Sequence, residues 1–198
     1  MTLLTICKGL ALNVGLTVPD AVVSSPAREW AEALQMANET GDELARRADW
    51  GILQVSSDVV GTGSPGPIMI ADDVSHLNEG ITVWGPGIIR PLSRSEWNAV
   101  VGVQGTPRYF ILEGADIRFW PYLALGATVQ VRYKSKNWCS AGSAFVSDIN
   151  TSKIDEGLFL KGLIVRWRRQ KGMDYADQEA EYEAALKETS DFDERSRL

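Results

Sequence analysis

The sequence predicts an α+β fold: a helical bundle, made of an N-terminal helix pair and a C-terminal antiparallel helical hairpin, with a central antiparallel β-rich insertion. Three observations predict it. Apolar residues recur at helical spacing in residues 1–52 and again in residues 141–189. Between them, glycine and proline punctuate short β-branched and aromatic runs, as in "GTGSPGP" and "WGPG". At 198 residues, 44% apolar and 23% charged, the chain can bury a core without a disulfide or metal staple. The expected divisions are 1–52 for the N-terminal helices and 53–140 for the β-rich insertion, with a short helix near 93–101. Residues 141–189 form the C-terminal hairpin, and 190–198 a C-terminal docking tail.

Leu3, Cys7, Leu10 and Val14 form the first apolar stripe, and Gly15 is placed to end that helix. After a linker, Ser25 reads as an N-cap with Pro26 at the first helical position. Trp30, Ala33, Leu34, Ala37, Gly41, Leu44, Ala45 and Ala48 then line one face, a small-residue stripe suited to a neighbouring helix. Arg46 and Arg47 lie in the last turn, where cations complement the helix dipole.

In the insertion, "PLSRSEWNAVV" predicts a short helix, capped by Ser93 with Glu96 closing a capping box. "RYFILEGADIRFW" predicts a hairpin of strands 109–112 and 115–119 about a turn at Glu113 and Gly114. In "GATVQVRYKSKNW", Val129, Val131 and Tyr133 alternate with Gln130 and Arg132, so a half-buried third strand should complete an antiparallel meander. Leu160, Leu163, Ile164 and Trp167 stripe the next helix, widened by Leu158, Phe159 and Val165. Gly172 ends it, Asp174 caps the last helix, and Tyr175, Tyr182, Ala185 and Leu186 share one side of that helix. So short a connection requires an antiparallel pair.

Charge is divided sharply at Gly172. Lys161, Arg166, Arg168, Arg169 and Lys171 precede it with no intervening acid, whereas residues 174–198 hold nine acids and three bases, which accounts for the whole net charge of −6. The local cause is the helix dipole: cations gather at one helix C-terminus, and Asp174 and Asp177 at the next N-terminus. An acidic total without a basic stripe is the opposite of what a phosphate-gripping protein shows.

No constellation for catalysis is present, and the sequence reads as a non-enzyme without cofactor. His76 is the sole histidine, with no GxSxG elbow. Asp72, Asp73 and His76 lack a metal-ligand spacing and suit a polar loop. The glycine-rich stretches lack the lysine of a phosphate loop, and Glu181 and Glu183 lie on a solvated helix face. Cys7 and Cys139 match no zinc or redox spacing and are expected as buried thiols. No apolar run approaches the ~18–20 residues of a membrane span, and the N-terminus lacks the basic region and cleavage site of a signal peptide. Of the seven tryptophans, Trp30 and Trp167 fall on core stripes; Trp84, Trp120 and Trp138 sit at strand ends as local packing residues. In "KETSDFDERSRL", Phe192 stands alone among charges and Leu198 ends the chain, so the tail is expected to dock on a partner chain.

Four stretches, "LLTICKGLALNVGL", "ELARRADWGILQ", "VRYKSKNW" and "LFLKGLIVRWRRQKGMDYADQEAEYEAAL", resemble the head-to-tail connector proteins of tailed bacteriophages and related gene-transfer particles, also termed adaptors or tail accessory factors. The most specific elements are Ser135-Lys136-Asn137-Trp138, then Gly162-Leu163-Ile164, Trp167, Lys171-Gly172 and Asp174-Tyr175-Ala176; residues 55–103 match loosely. The resemblance implies a structural virion protein at the head–tail junction, assembled in the host cytoplasm. Its copies, typically a dodecamer, ring the channel below the portal protein and present a surface to the tail or to a stopper or nozzle protein. Double-stranded DNA passes through without specific binding, and genome ejection follows the same path. Under this resemblance Phe192, Arg195, Arg197 and Leu198 contact the portal or a neighbouring subunit. Arg166, Arg168 and Arg169 make subunit contacts, and Glu179 and Glu183 face the channel. The alternatives are a tail terminator or stopper, a nucleic-acid-binding protein using the basic helix end, and a hydrolase acting during entry.

Overall fold

A computed structural model describes residues 2–77, 83–85, 87–100 and 104–195. The α+β class holds, and the chain forms two compact units: a helical unit, Met1–Leu53 with Lys136–Leu198, and a β unit, Gln54–Ser135.

In the helical unit, α1 spans Leu3–Val14. Thr2 caps it by accepting from the Thr5 N–H, and Gly15, at φ 74°, closes it through its N–H to the Ala11 carbonyl. Helix α2 spans Arg28–Arg47 and starts later than its sequence suggests. Ala27 occupies the cap position, while the Ser25 hydroxyl accepts from the Ala27 N–H at 3.3 Å. That bond closes a local turn around Pro26, so Ser25 never reaches the helix amides it was expected to cap. A short 3₁₀ turn, Gly51–Leu53, ends this segment.

Helices α4, Glu156–Gln170, and α5, Ala176–Arg195, form the expected hairpin; α3 belongs to the β unit. Asp155 caps α4 by accepting from the Leu158 N–H at 2.8 Å. Its C-terminus has the double bond of a Schellman turn: Met173 N–H to the Arg168 carbonyl at 2.9 Å and Gly172 N–H to the Arg169 carbonyl at 3.2 Å. Gly172 takes φ 65°, a conformation that favours glycine. Asp174 lies one residue ahead of the formal cap of α5, and its carboxylate accepts from the Ala176 N–H.

The core of this unit is aromatic at its centre. Trp138, fully buried, stands edge-on to Phe145 at 5.0 Å and 5.7 Å from Phe159. Its indole N–H donates to Asp42 at 2.9 Å. The packing role expected of Trp138 reaches well beyond its strand end: the indole meets α2 at Gly41 and Asp42 and α4 at Phe159. Trp30 and Trp167 are buried as expected.

Cys7 and Cys139 are buried free thiols, as the sequence predicts. Burial pushes the Cys7 thiol up to about 12, and the charge of Asp148 adds to the effect. An unfolded thiol titrates near 9, so across the interval the folded state holds a proton that the unfolded chain releases. This contribution to stability is complete below the unfolded value and is lost as pH rises toward about 12, with a slope of at most about 1.4 kcal/mol per pH unit. Urea midpoints are expected to fall through the alkaline range, and less steeply for Cys7→Ala. Equal slopes for the two chains would remove the assignment.

The β unit contains β1 Gln54–Val60, β2 Ile68–Met69, β3 Val74–His76, β4 Val83–Trp84, β5 Arg90–Pro91, β6 Tyr109–Glu113, β7 Asp116–Trp120 and β8 Thr128–Ser135. The one-turn helix α3, Arg94–Trp97, carries the predicted capping box between Ser93 and Glu96. The predicted hairpin forms as β6 and β7, with Gly114 at φ 72° in its turn. The third strand of the expected meander does not join them. Strand β8 instead centres a second sheet, paired with β1 over seven residues and with β3 and β4 on its other side, while β2-β7-β6-β5 form the first. The reason lies at the entry to β8. Gly61 N–H donates to the Ala127 carbonyl at 2.7 Å and Gly126 N–H to the Gly61 carbonyl at 2.9 Å, which registers β8 on β1. The β5–β6 pair is parallel, so the insertion is mainly rather than wholly antiparallel. Side chains of both sheets, including Val59, Phe110, Ile117, Phe119, Val129 and Val131, share one core.

Candidate functional site

The basic end of α4 adjoins the acidic α5, and Arg166, Arg169 and Lys171 at that basic end are all paired with acids of the same chain. Arg166 reaches Glu39 at 2.8 Å and Glu43 at 2.5 Å, both on α2. Arg169 pairs with Glu179 and also lies 4.9 Å from the centre of the Tyr175 ring. Lys171 pairs with Glu32 and stands 4.8 Å over the Trp167 ring. Arg47, from the last turn of α2, grips Glu183 through both oxygens at 2.7 Å. The hydrogen bond to Glu183 holds the Arg47 guanidinium more firmly protonated than usual, and those from Lys171 and then Arg28 hold the Glu32 carboxyl below the usual carboxylate range. Burial pushes the Tyr182 hydroxyl up to about 12, helped by the charge of Glu43.

These contacts explain how α5 is held. Of its twenty residues only Tyr182 and Leu186 are buried. Tyr182 packs over Gly162 of α4, where a side chain would stand 3.0 Å from both Thr40 and Tyr182. Further along, Asp193 accepts from the Gly51 N–H at 2.8 Å, tying the end of α5 to the 3₁₀ turn. Exposed ion pairs contribute roughly 0–1 kcal/mol each, so the cross-links orient α5 more than they stabilise it.

Each residue singled out in the sequence can now be placed. Arg166 and Arg169 are engaged with acids of the same chain. Arg168 donates through Nη1 to the Asp174 carbonyl at 3.1 Å, and its Nε is shielded from water without an acceptor among the described residues. Glu179 and Glu183 lie on the side of α5 that meets Arg169 and Arg47, so their charges are balanced. Phe192 sits on α5, 73% exposed, and Arg195 is its last helical residue. Residues 190–195, expected in a tail, continue the helix: Tyr182, Ala185 and Leu186 pack on the core, and Asp193 ties the end to the Gly51 N–H. Arg197 and Leu198 lie outside the described residues.

One surface was not anticipated. Leu160, counted in the core stripe, is only partly buried and meets Gly9 of α1. With Ile164, Lys161, Arg168 and Glu181 it lines a groove of about 370 Å³ between α4 and α5. The signal in the sequence was faint: Lys161 and Arg168 recur at helical spacing beside the apolar stripe.

Elsewhere, Asp73 accepts hydrogen bonds from the hydroxyls of Tyr133 and Ser135. Burial, then the bond to Asp73, raises the Tyr133 hydroxyl above its usual range. His76 makes a 3.3 Å contact with Ser75 through Nδ1. Among the described residues no group of three His, Cys, Asp or Glu side chains could hold a metal ion, and no helix is long and apolar enough to cross a membrane.

Comparison with protein families finds a match over residues 1–198 to the family described as SU10 adaptor protein. A search of curated proteins finds none that matches.

Proposed function

The chain belongs to the SU10 adaptor protein family, a family of bacteriophage head-to-tail adaptors, and from that premise we propose that it is a structural virion protein whose copies form a ring below the portal. The ring, a dodecamer on the family pattern, extends the DNA channel and offers the tail, or a stopper or nozzle protein, its attachment surface. The protein is assembled in the host cytoplasm and resides at the head–tail junction. The observation that carries this reading is the family match along the entire chain.

The charge pattern supports a contact role over nucleic-acid recognition. Arg166, Arg169 and Lys171 already neutralise acids of their own chain, so they have little left to release counterions from DNA. Of the three arginines assigned to subunit contacts, Arg168 alone retains a shielded donor without an acceptor among the described residues. If α5 faces the channel, Glu179 and Glu183 bring balanced charges, and Asp177, Glu181 and Glu188 supply the negative wall that lets DNA slide past. Phe192 and Arg195, with Arg197 and Leu198, form the end that meets the portal or a neighbouring subunit.

Imaging of assembled particles tests this directly: a ring of this chain is expected between portal and tail. Removing residues 190–198 is expected to abolish attachment to portal-bearing heads while leaving the monomer folded, since Tyr182 and Leu186 remain. Particles that lack the chain, or heads that capture the truncated chain normally, would overturn the reading.

A further inference from the structure

We propose that the groove between α4 and α5 receives the Phe192-bearing end of α5 from a second copy of this chain. The proposal rests on the ring reading above and names the surface through which copies would meet.

The two surfaces are complementary. The groove has an apolar floor of Leu160 and Ile164 beneath two cations, Lys161 and Arg168, with Glu181 as the opposing acid. Lys161 is exposed and has no ion pair among the described residues. Arg168 lines the same groove, with Nη1 donating to the Asp174 carbonyl at 3.1 Å. On the other surface, Phe192 is 73% exposed. Glu188 and Asp191 lie beside it, unpaired among the described residues, together with Lys187 and Arg195. An aromatic ring in an apolar slot under an ammonium and a guanidinium gains both burial and cation–π attraction. The neighbouring carboxylates of Glu188 and Asp191 would meet the charge of Lys161 and the guanidinium of Arg168.

The occupant must come from another copy. Helix α5 runs unbroken from Ala176 to Arg195, with Glu181 at the groove. At about 1.5 Å per residue, Phe192 lies roughly 16 Å beyond Glu181 along the helix, so a chain cannot fill its own groove. A knob and a socket at different places on one chain make a heterologous contact, which repeats from copy to copy until a ring closes. After closure each contact is effectively intramolecular, so a modest pairwise affinity suffices.

The test measures self-association of the full chain by sedimentation, with circular dichroism confirming the fold. Phe192→Ala is expected to weaken association on the order of 30-fold, the effect of losing a buried aromatic anchor. The pair Lys161→Glu with Arg168→Glu, and the pair Glu188→Lys with Asp191→Lys, should each weaken it on the order of 10-fold or more. Combining all four substitutions should recover most of the loss. As a direct probe, Phe192→Cys chains mixed with Leu160→Cys chains should form a disulfide-linked pair of unlike copies. Association that is indifferent to Phe192 and to charge reversal overturns this contact and leaves the ring reading standing. A chain that stays monomeric at every concentration and forms no ring on portal-bearing heads overturns both.

Discussion

Gly41→Ala is expected to destabilise the helical unit by about 3 kcal/mol or more, although alanine in a helix interior ordinarily stabilises by about 1 kcal/mol over glycine. A Cβ at this position would lie 2.3 Å from Cζ2 of Trp138 and 2.4 Å from two further indole atoms. The indole has nowhere to go: it is fully buried, bonded to Asp42, and packed against Phe145 and Phe159. Urea denaturation of single and double variants separates the two effects. Trp138→Ala alone should cost about 3–5 kcal/mol. In that background Gly41→Ala should become neutral or stabilising, because the overlap is gone and the helix preference remains. A Gly41→Ala chain more stable than the parent would show that α2 does not approach Trp138 this closely.

In the β unit the expected effect of Gly61→Ala is of similar size and has a stiffer cause. Its Cβ would stand 2.2 Å from the carbonyl oxygen of Ala124 and 2.6 Å from the Leu123 Cβ. A clash with backbone cannot be relieved by a rotamer change. The two hydrogen bonds that Gly61 exchanges with Gly126 and Ala127 hold the crossing in place, so relief requires breaking the register of β8 on β1. A loss of about 3 kcal/mol follows, in the upper range for overpacking, with faster amide exchange along β1 and β8 than in α1 or α4. Val60→Ala, at an exposed neighbouring position, should stay within about 0.5 kcal/mol of the parent. Unchanged exchange in Gly61→Ala would contradict the crossing.

Much of the local structure was legible because its causes lie within a few residues. The stripe of α1, the capping box of α3 and the glycine close of α4 depend on partners three to five positions apart, and the β6–β7 hairpin on partners no more than eleven apart. The start of α2 shows the limit of such reasoning: Ser25 and Pro26 carry a strong signal, and a competing turn bond to the Ala27 amide won. The meander failed for a different reason. Sequential strands pair by default, and nothing near "GATVQVRYKSKNW" announces that Gly61 will anchor its first residues.

The candidate site divides in the same way. The change of sign at Gly172 was readable as helix-dipole chemistry, and the basic and acidic ends do lie where that argument puts them. Its larger consequence was not readable. Arg166 with Glu39 and Glu43, Arg47 with Glu183, and Lys171 with Glu32 join residues more than a hundred positions apart, and no local pattern encodes such pairs.

By itself, then, the order of residues determined the α+β class, the helical hairpin, the buried thiols and membership of an adaptor family, since these follow from short-range periodicity, capping and shared motifs. Only the tertiary structure decided that Trp138 is a hub, that β8 belongs with β1, that Arg166 and Arg169 are paired within their own chain, and that Leu160 floors an open groove. Each of those depends on which distant surfaces meet, and packing of the whole chain selects that from many alternatives that local preferences leave nearly equal in free energy.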